Sequence, residues 1–253
     1  MKVPASFRKL PFAHRGLHDV TDGRPENSRA AIRAAIAAGY GIEIDLQLSA
    51  DGAAMVFHDY GLERLTGVSG SVRLRSRADL AAIPLRGGAE TIPDLAEALE
   101  LIAGQVPLLI ELKDQDGGMG PDTGALEQAT AEALSEYRGD VAMMSFNPHS
   151  VAKMAALRPD LPRGLVTSAY RREDWPLPQA TRDRLREVPD YDRVDACFIS
   201  HEADDLSRSR VRELKEQGAF VCCWTIRSAE EERKARQIAD NVTFEGYLPA
   251  LDA

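Results

Sequence analysis

The sequence predicts an α/β fold in which eight parallel strands, alternating with helices, close into a TIM (β/α)8 barrel. Short apolar runs alternate with amphipathic segments of helical period from Phe12 onward, as is typical of βα units around a parallel sheet. Eight such strands and seven helices fit into about 250 residues, the usual length of this barrel. The first strand is not followed by a G-x-G-x-x-G loop, which argues against an open dinucleotide-binding sheet.

The predicted elements follow one another with short connections. The strands are 12–14, 41–48, 107–113, 141–145, 164–167, 196–200, 220–225 and 242–245. The helices are 28–38, 94–103, 124–137, 148–157, 179–187, 206–217 and 229–238. The sequence contains neither an internal repeat nor a low-complexity linker, so we predict one domain over residues 1–253.

One segment interrupts the alternation after the second strand. Asp51-Gly52 lies between two strand-like runs, and Asp-Gly is a strong hairpin signal. A two-residue turn there pairs residues whose numbers sum to about 103, so that Asp45 faces His58 across the ladder. Residues 60–91 then lack a long periodic element, which predicts an inserted segment at the C-terminal face of the barrel, where such segments shape the pocket.

Composition and charge narrow the possible functions. The net charge of -9 argues against a general nucleic-acid binder, which needs a basic face. The chain lacks an 18-residue apolar run and a signal-peptide pattern at its N-terminus, so we expect no stable membrane insertion. The three cysteines show neither disulfide nor metal-ligand spacing, and we interpret them as reduced core thiols of a cytoplasmic protein. The oligomeric state is left open.

Two predicted strands combine an apolar face with a charged face. In the second strand Glu43 and Asp45 share the face that points into the barrel, and in the third strand Glu111 and Lys113 do so. Neighbouring buried carboxylates need a cation or would take up protons, and such oxygens are typical ligands of Mg²⁺ or Ca²⁺. Two alternatives stay open: an acidic pair on a solvated edge strand, and a salt bridge between Lys113 and a carboxylate.

Two of the five histidines fall at strand ends near this acidic cluster. His14 closes the first strand, and His58 follows the predicted hairpin. Catalytic groups of TIM barrels lie at the C-terminal ends of strands, and two imidazoles around one scissile bond suit general acid and base roles. Gly16, two residues after His14, allows the backbone to turn sharply there. His18 and His149 are interpreted as surface residues.

An ordered series of motifs resembles that of glycerophosphodiester phosphodiesterases. The motifs are AHRG (13–16), PENS (25–28), IEIDLQLSADG (42–52), FHD (57–59), IELK (110–113), SFNP (145–148) and CWTIR (223–227). The resemblance implies a TIM barrel with a segment inserted after FHD. It also implies metal-dependent hydrolysis of a small glycerophosphodiester to an alcohol and sn-glycerol 3-phosphate.

Matched position by position, the resemblance assigns roles to nine residues. The metal ligands are Glu43, Asp45 and Glu111, the acid/base pair is His14 and His58, and the phosphate-binding residues are Arg15 and Lys113. Glu26 matches a carboxylate near the metal or the glycerol hydroxyls. Trp224 matches an aromatic residue that flanks the substrate, with a purely core role as the alternative.

One departure from the family pattern leaves the substrate open. The last strand usually ends in Thr-Asp-x-Pro, whereas this chain has Phe244-Glu245-Gly246-Tyr247-Leu248-Pro249. We expect the difference to affect the pocket rim and therefore substrate choice. The alternatives are a lysophospholipase D-like or sugar-phosphodiester phosphodiesterase, and a barrel that binds a phosphodiester without cleaving it.

Overall fold

A computed structural model describes residues 1–251, and its eight parallel strands close into the predicted TIM barrel. The strands are β1 Phe12–Ala13, β2 Gly41–Leu48, β3 Ala54–Val56, β4 Leu108–Leu112, β5 Val141–Ser145, β6 Arg163–Thr167, β7 Phe198–Glu202, β8 Phe220–Ile226 and β9 Asn241–Phe244. Around the barrel the strand order is β1-β2-β4-β5-β6-β7-β8-β9, and pairing of β9 with β1 closes the ring. Among the strands of the described residues, β3 alone runs antiparallel, as the second arm of a hairpin with β2. Residues 252 and 253 of the predicted domain lie outside the described part.

The described residues form nine α-helices, of which seven match the predicted helices with ends that differ by a few residues. The helices are α1 Arg29–Ala38, α2 Glu63–Thr66, α3 Arg77–Ala81, α4 Leu95–Ile102, α5 Ala125–Ala133, α6 Pro148–Leu157, α7 Gln179–Arg186, α8 Ser209–Glu216 and α9 Ala229–Ala235. Two of these, α2 and α3, are short and belong to the inserted segment. The others cover the outer face of the barrel, as the sequence period requires.

The alternation of side chains along β2 separates the core from the site. Ile42, Ile44 and Leu46 point outward and are fully buried against the helix layer. A second apolar cluster fills the N-terminal end of the barrel, where Phe7 from the first residues packs 4.8 Å from Phe12 between ring centroids. The charged residues of β2 are therefore confined to the opposite, C-terminal end of the barrel interior.

The hairpin register differs by one residue from the predicted register. Leu46 pairs with Val56 and Leu48 with Ala54, so the paired numbers sum to 102 and Asp45 does not face His58. The turn has three residues instead of two, and Gly52 takes its left-handed position at φ +84°. His58 instead lies beyond the end of the ladder and reaches the cavity from there.

The inserted segment, residues 60–91, has a small apolar core of its own. Its buried leucines and Val72 form one cluster with Met55 of β3 and with Phe57, which follows β3. Arginines and acidic residues cover its outside, among them Arg64, which reaches back to the barrel. The segment is thus fixed to the rim of the barrel, as the sequence predicts.

Two predictions from composition can be compared with the structure. Among residues 1–251, none of the helices is long and apolar enough to cross a membrane. The three cysteines, Cys197, Cys222 and Cys223, are buried free thiols. Burial raises the pKa of Cys222 to about 11, so this thiol stays protonated and chemically inert at neutral pH.

Candidate active site

Three buried carboxylates form the floor of the site. Glu43 and Asp45 project from β2, and Glu111 projects from β4. The register makes Asp45 and Glu111 direct neighbours, and one oxygen from each of the three residues lies within 4.8 Å of the others. This is a set of hard oxygen donors at a spacing that suits a single divalent cation. The solvated-edge alternative is wrong, because all three residues are buried.

The three neighbouring carboxylates concentrate negative charge in a buried space. Burial raises the pKa of the Glu43 carboxyl well above its usual value, and the charges of Asp45 and Glu111 raise it further. Burial also disfavours ionisation of Asp45, but Lys113, His58 and Arg15 together hold its pKa below the usual range. A bound cation would relieve the repulsion that Glu43 experiences.

Two cationic side chains lie against the carboxylates. The Nζ of Lys113 is 2.8 Å from Glu111 Oε1 and 3.3 Å from Asp45 Oδ1, so the predicted salt bridge exists. The backbone amide of Arg15 donates to Glu43 Oε2 at 2.9 Å. Arg15 Nε is buried, makes no hydrogen bond within residues 1–251 and lies 3.4 Å from Asp45 Oδ2, an ion-pair distance. Arg15 thus offsets part of the charge of Asp45, while its Nε–H has no acceptor.

A sharp turn directs Arg15 into the site. Arg15 and Gly16 both adopt positive φ, +56° and +76° respectively. A Cβ on Gly16 would lie 2.9 Å from the backbone carbon of Ala31, so helix α1 packs directly onto this turn. Glycine is therefore required here both for its backbone conformation and for the close approach of α1.

His14 is held by a carboxylate from the last strand. Its Nδ1 lies 2.7 Å from Glu245 Oε2, while Arg227 Nε donates to Glu245 Oε1 at 2.8 Å. Burial lowers the pKa of His14, and the hydrogen bond to Glu245 opposes this. His18, which we interpreted as a surface residue, is partly buried with its Nε2 3.6 Å from the same Glu245 oxygen. Glu245 therefore contacts a predicted site residue, although its segment was expected to affect only the pocket rim.

A chain of ion pairs holds His58. Its Nδ1 lies 2.7 Å from Asp59 Oδ1, and Arg64 Nε donates to Asp59 Oδ2 at 2.6 Å. The two terminal nitrogens of Arg64 bind the two oxygens of Glu26, each at 2.8 Å. Glu26 Oε1 also accepts from Arg15 Nη1 at 2.7 Å. Charged hydrogen bonds thus connect His58 on one side of the site with Arg15 on the other.

A cavity of about 670 Å³ opens above the carboxylates and collects eight of the nine predicted site residues. Glu26 is the exception, because it lies behind Arg15 and binds two arginines instead of facing the cavity. Trp224 lines the cavity, while its Nε1 donates to Ser200 O at 3.0 Å and its ring packs against the barrel interior. Trp224 therefore has both a cavity-lining surface and core contacts, and its place beside the substrate stays a prediction.

Sequence reasoning gave no role to Asp59, Glu245 or Asn27, which all contact site residues. In the register of β1 and β9, Ala13 pairs with Phe244, so the next residues, His14 and Glu245, lie side by side. This contact arises only because β9 closes the barrel against β1. Asn27 adopts φ +57° and donates from Nδ2 to Asp45 Oδ2 at 2.9 Å. Asparagine tolerates this conformation better than most residues do. The asparagine of the PENS motif was therefore a possible signal of a special backbone position.

We expect Glu245→Gln to shift the pH profile of catalysis to lower pH. The carboxylate favours protonated His14, so its loss lowers the pKa of His14 further. The limb of kcat/KM that His14 controls then moves to lower pH, whether His14 works as neutral base or as protonated acid. Profiles between about pH 5 and 9 test this. A uniform loss of rate without a shift would contradict it.

The chain is similar to known proteins over most of its length. The model of the glycerophosphoryl diester phosphodiesterase family matches residues 14–242. A glycerophosphodiester phosphodiesterase of Caldanaerobacter subterraneus is 30% identical over 247 residues, which cover 93% of each chain. One from Bacillus subtilis is 26% identical over 260 residues, 95% of this chain and 84% of that one.

A solved structure extends the similarity to three dimensions. The Oleispira antarctica phosphodiesterase, in complex with the product sn-glycerol-3-phosphate, is 26% identical with a TM-score of 0.76. The match covers 93% of this chain and 92% of the other. The family match begins at His14, includes the three carboxylates and ends at Val242, within β9. The chain therefore belongs to the glycerophosphoryl diester phosphodiesterase family and is a phosphodiester hydrolase of that family.

Proposed function

We propose that this enzyme hydrolyses small glycerophosphodiesters, such as glycerophosphocholine or glycerophosphoethanolamine, to an alcohol and sn-glycerol 3-phosphate. The observation that carries the proposal is the placement of three buried carboxylates beneath a cavity that both histidines also line. Glu43, Asp45 and Glu111 would hold one divalent cation, Mg²⁺ or Ca²⁺. When bound, the cation supplies positive charge against the phosphodiester.

Arg15 and Lys113 bind the phosphate in this proposal. A phosphodiester carries a negative charge that repels a nucleophile, so fixed positive charge around it lowers the barrier. The Nε–H of Arg15, which makes no hydrogen bond although Nε lies 3.4 Å from Asp45 Oδ2, supports this role, as does the position of Lys113 at the cavity wall. Glu26 orients Arg15, and Trp224 flanks the glycerol carbons.

His14 and His58 act as the acid/base pair. A carboxylate occupies the Nδ1 side of each ring, Glu245 for His14 and Asp59 for His58, so Nε2 of each ring stays available for proton transfer. One histidine takes a proton from the nucleophile, which is water or a glycerol hydroxyl. The other gives a proton to the departing alkoxide. A barrel that only binds a phosphodiester has no need of two imidazoles held in this way.

We also propose that the enzyme works in the cytoplasm on a small-molecule substrate and not on nucleic acid. The net charge of -9 opposes a nucleic-acid partner, and the three buried free thiols suit a reducing compartment.

Removal of the cation is expected to abolish turnover of glycerophosphocholine. The measurement is release of sn-glycerol 3-phosphate by protein treated with EDTA and dialysed, then supplied with Mg²⁺ or Ca²⁺. Activity should return with one or both ions, because the bound cation supplies positive charge that the three carboxylates lack. Full activity after EDTA treatment would refute the metal site. Lack of product from several glycerophosphodiesters with either ion would refute the proposed substrate class.

A further inference from the structure

Arg64 connects the inserted segment to two separate parts of the site. It lies at the short helix α2 between Leu62 and Leu65, whose side chains are buried in the apolar core of that segment. Its own side chain is 48% exposed and reaches back to the barrel, where it binds Asp59 and Glu26. The fold of the inserted segment therefore determines where this guanidinium lies.

The guanidinium uses two different edges for the two carboxylates. Nε and Nη2 donate to Asp59 Oδ2 and Oδ1 at 2.6 and 2.8 Å. Nη1 and Nη2 donate to Glu26 Oε2 and Oε1, each at 2.8 Å. A planar fork binds two carboxylates in this way, whereas a lysine ammonium is a single point of charge. This arrangement therefore requires arginine.

One nitrogen of Arg64 contacts both of the oxygens that hold site residues. Nη2 binds Asp59 Oδ1, the same oxygen that lies 2.7 Å from His58 Nδ1. Nη2 also binds Glu26 Oε1, the oxygen that accepts from Arg15 Nη1 at 2.7 Å. A single atom of Arg64 therefore joins the support of His58 to the support of Arg15.

Both carboxylates remain ionised in this arrangement. Burial opposes ionisation of Asp59, but hydrogen bonds from His58 and Arg64 hold its pKa below the usual range. Burial likewise opposes ionisation of Glu26, and Arg64 together with Arg15 keeps its pKa low. An ionised Asp59 can only accept hydrogen bonds, so the neutral ring of His58 carries its proton on Nδ1 and leaves Nε2 unprotonated.

These contacts differ from an ordinary surface ion pair. Exposed pairs usually stabilise a protein little, because solvent screening and side-chain entropy offset the attraction. The side chains of Asp59 and Glu26 are only 23% and 12% exposed, which reduces the screening. Four hydrogen bonds to one planar group also fix orientation in addition to balancing charge. Arg64 can therefore determine where its two partners point.

We propose that Arg64 is a positioning residue that sets the orientations of His58 and Arg15 together. This inference rests on the proposed function, in which His58 transfers a proton and Arg15 binds the phosphate. Arg64 is not among the described residues that line the cavity, so it acts through Asp59 and Glu26. The inserted segment thereby controls proton transfer and phosphate binding at the same time.

Arg64→Lys keeps the charge but loses the fork, and we expect kcat/KM for glycerophosphocholine to fall at least about tenfold in folded protein. Arg75→Lys is the matched control, because Arg75 lies in the same segment and donates to the carbonyl of Ser69 at 3.0 Å. The control should stay near the wild-type value. Circular dichroism verifies folding. A lower melting temperature with an unchanged kcat/KM would mean that Arg64 only anchors the segment, contrary to the proposal.

NMR spectra of the histidine ring nitrogens test the link to His58 without turnover. In wild-type protein with Mg²⁺ present, neutral His58 should carry its proton on Nδ1, and loss of its signals in His58→Ala identifies them. Arg64→Lys should increase the population of the other tautomer, and Arg75→Lys should not. The same tautomer ratio in Arg64→Lys and wild type would exclude the link.

Paired substitutions test whether Arg64 joins the two ends. Glu26→Gln and Asp59→Asn each disrupt one end, and their combined effect on kcat/KM should be smaller than the product of the single effects. In the Arg64→Lys background the two effects should multiply. Effects that multiply in both backgrounds would refute the coupling. If Arg64→Lys fails to fold, multiplying effects in the otherwise wild-type protein suffice to refute it.

Failure of the proposed function would give a different pattern. Wild-type protein that releases no sn-glycerol 3-phosphate from any glycerophosphodiester refutes that function, while a tautomer shift in Arg64→Lys still supports the link from Arg64 to His58. Turnover by the wild type, together with unchanged rates and ring spectra in Arg64→Lys, retains the function and overturns the inference.

Discussion

Glu43→Gln is expected to lower kcat/KM by at least about 1,000-fold, since a metal ligand contributes several kcal/mol of transition-state stabilisation. The same substitution should raise the melting temperature of the metal-free protein. Without a cation, burial and the two neighbouring carboxylates make ionised Glu43 unfavourable, and a neutral amide removes that repulsion. Activity and stability thus change in opposite directions, as expected for a strained functional site.

A matched control exists at Glu127. This glutamate is also buried, but it caps helix α5 by accepting from the amide of Gly124 at 2.6 Å and does not line the cavity above the three carboxylates. Glu127→Gln keeps an acceptor oxygen and should leave kcat/KM near the wild-type value. Calorimetry with Mg²⁺ and Ca²⁺ should show binding to wild type and to this control but not to Glu43→Gln. Unchanged metal binding by Glu43→Gln would exclude Glu43 as a ligand.

His14→Ala and His58→Ala are each expected to lower turnover at least about 100-fold in folded protein. Both rings line the cavity, and a carboxylate holds each through Nδ1. Loss of either ring removes one proton transfer and leaves the carboxylate cluster in place. Turnover with saturating metal, and circular dichroism to verify folding, measure the effect. Near-wild-type rates for either variant would refute its assignment.

A substrate with a nitrophenol leaving group distinguishes the two roles. Such a group departs without a proton, so the variant that lacks the general acid should recover much of its rate, whereas the variant that lacks the general base should not. His149→Ala, a change at a partly buried histidine in helix α6, is the control and should match wild type with both substrates. Equal recovery by both variants would mean that neither ring alone protonates the leaving group.

The acidic floor of the site could be predicted from the sequence because it depends on strand alternation. Side chains two residues apart on a strand share a face whatever surrounds them, so Glu43 joins Asp45, and Glu111 joins Lys113. Parallel pairing of β2 with β4 then brings the two strands together. The barrel was predictable for the same reason, because the pattern of apolar runs repeats eight times.

The features that sequence reasoning got wrong or missed depend on particular turns and long-range contacts. The turn at Gly52 has three residues, and periodicity does not distinguish it from a two-residue turn. Glu26 binds Arg64, whose position depends on how residues 60–91 fold. Glu245 meets His14 only because the barrel closes, which joins residues 231 positions apart in the chain.

The contact between Arg64 and the barrel limits how the inserted segment can be exchanged. Loops on a barrel rim are natural places to graft new specificity, since the scaffold beneath them is rigid. Here one arginine of the graft position binds both Asp59 and Glu26. A transplanted segment therefore has to supply a guanidinium at this point. Without it, Asp59 beside His58 and Glu26 beside Arg15 would each lose a charged partner.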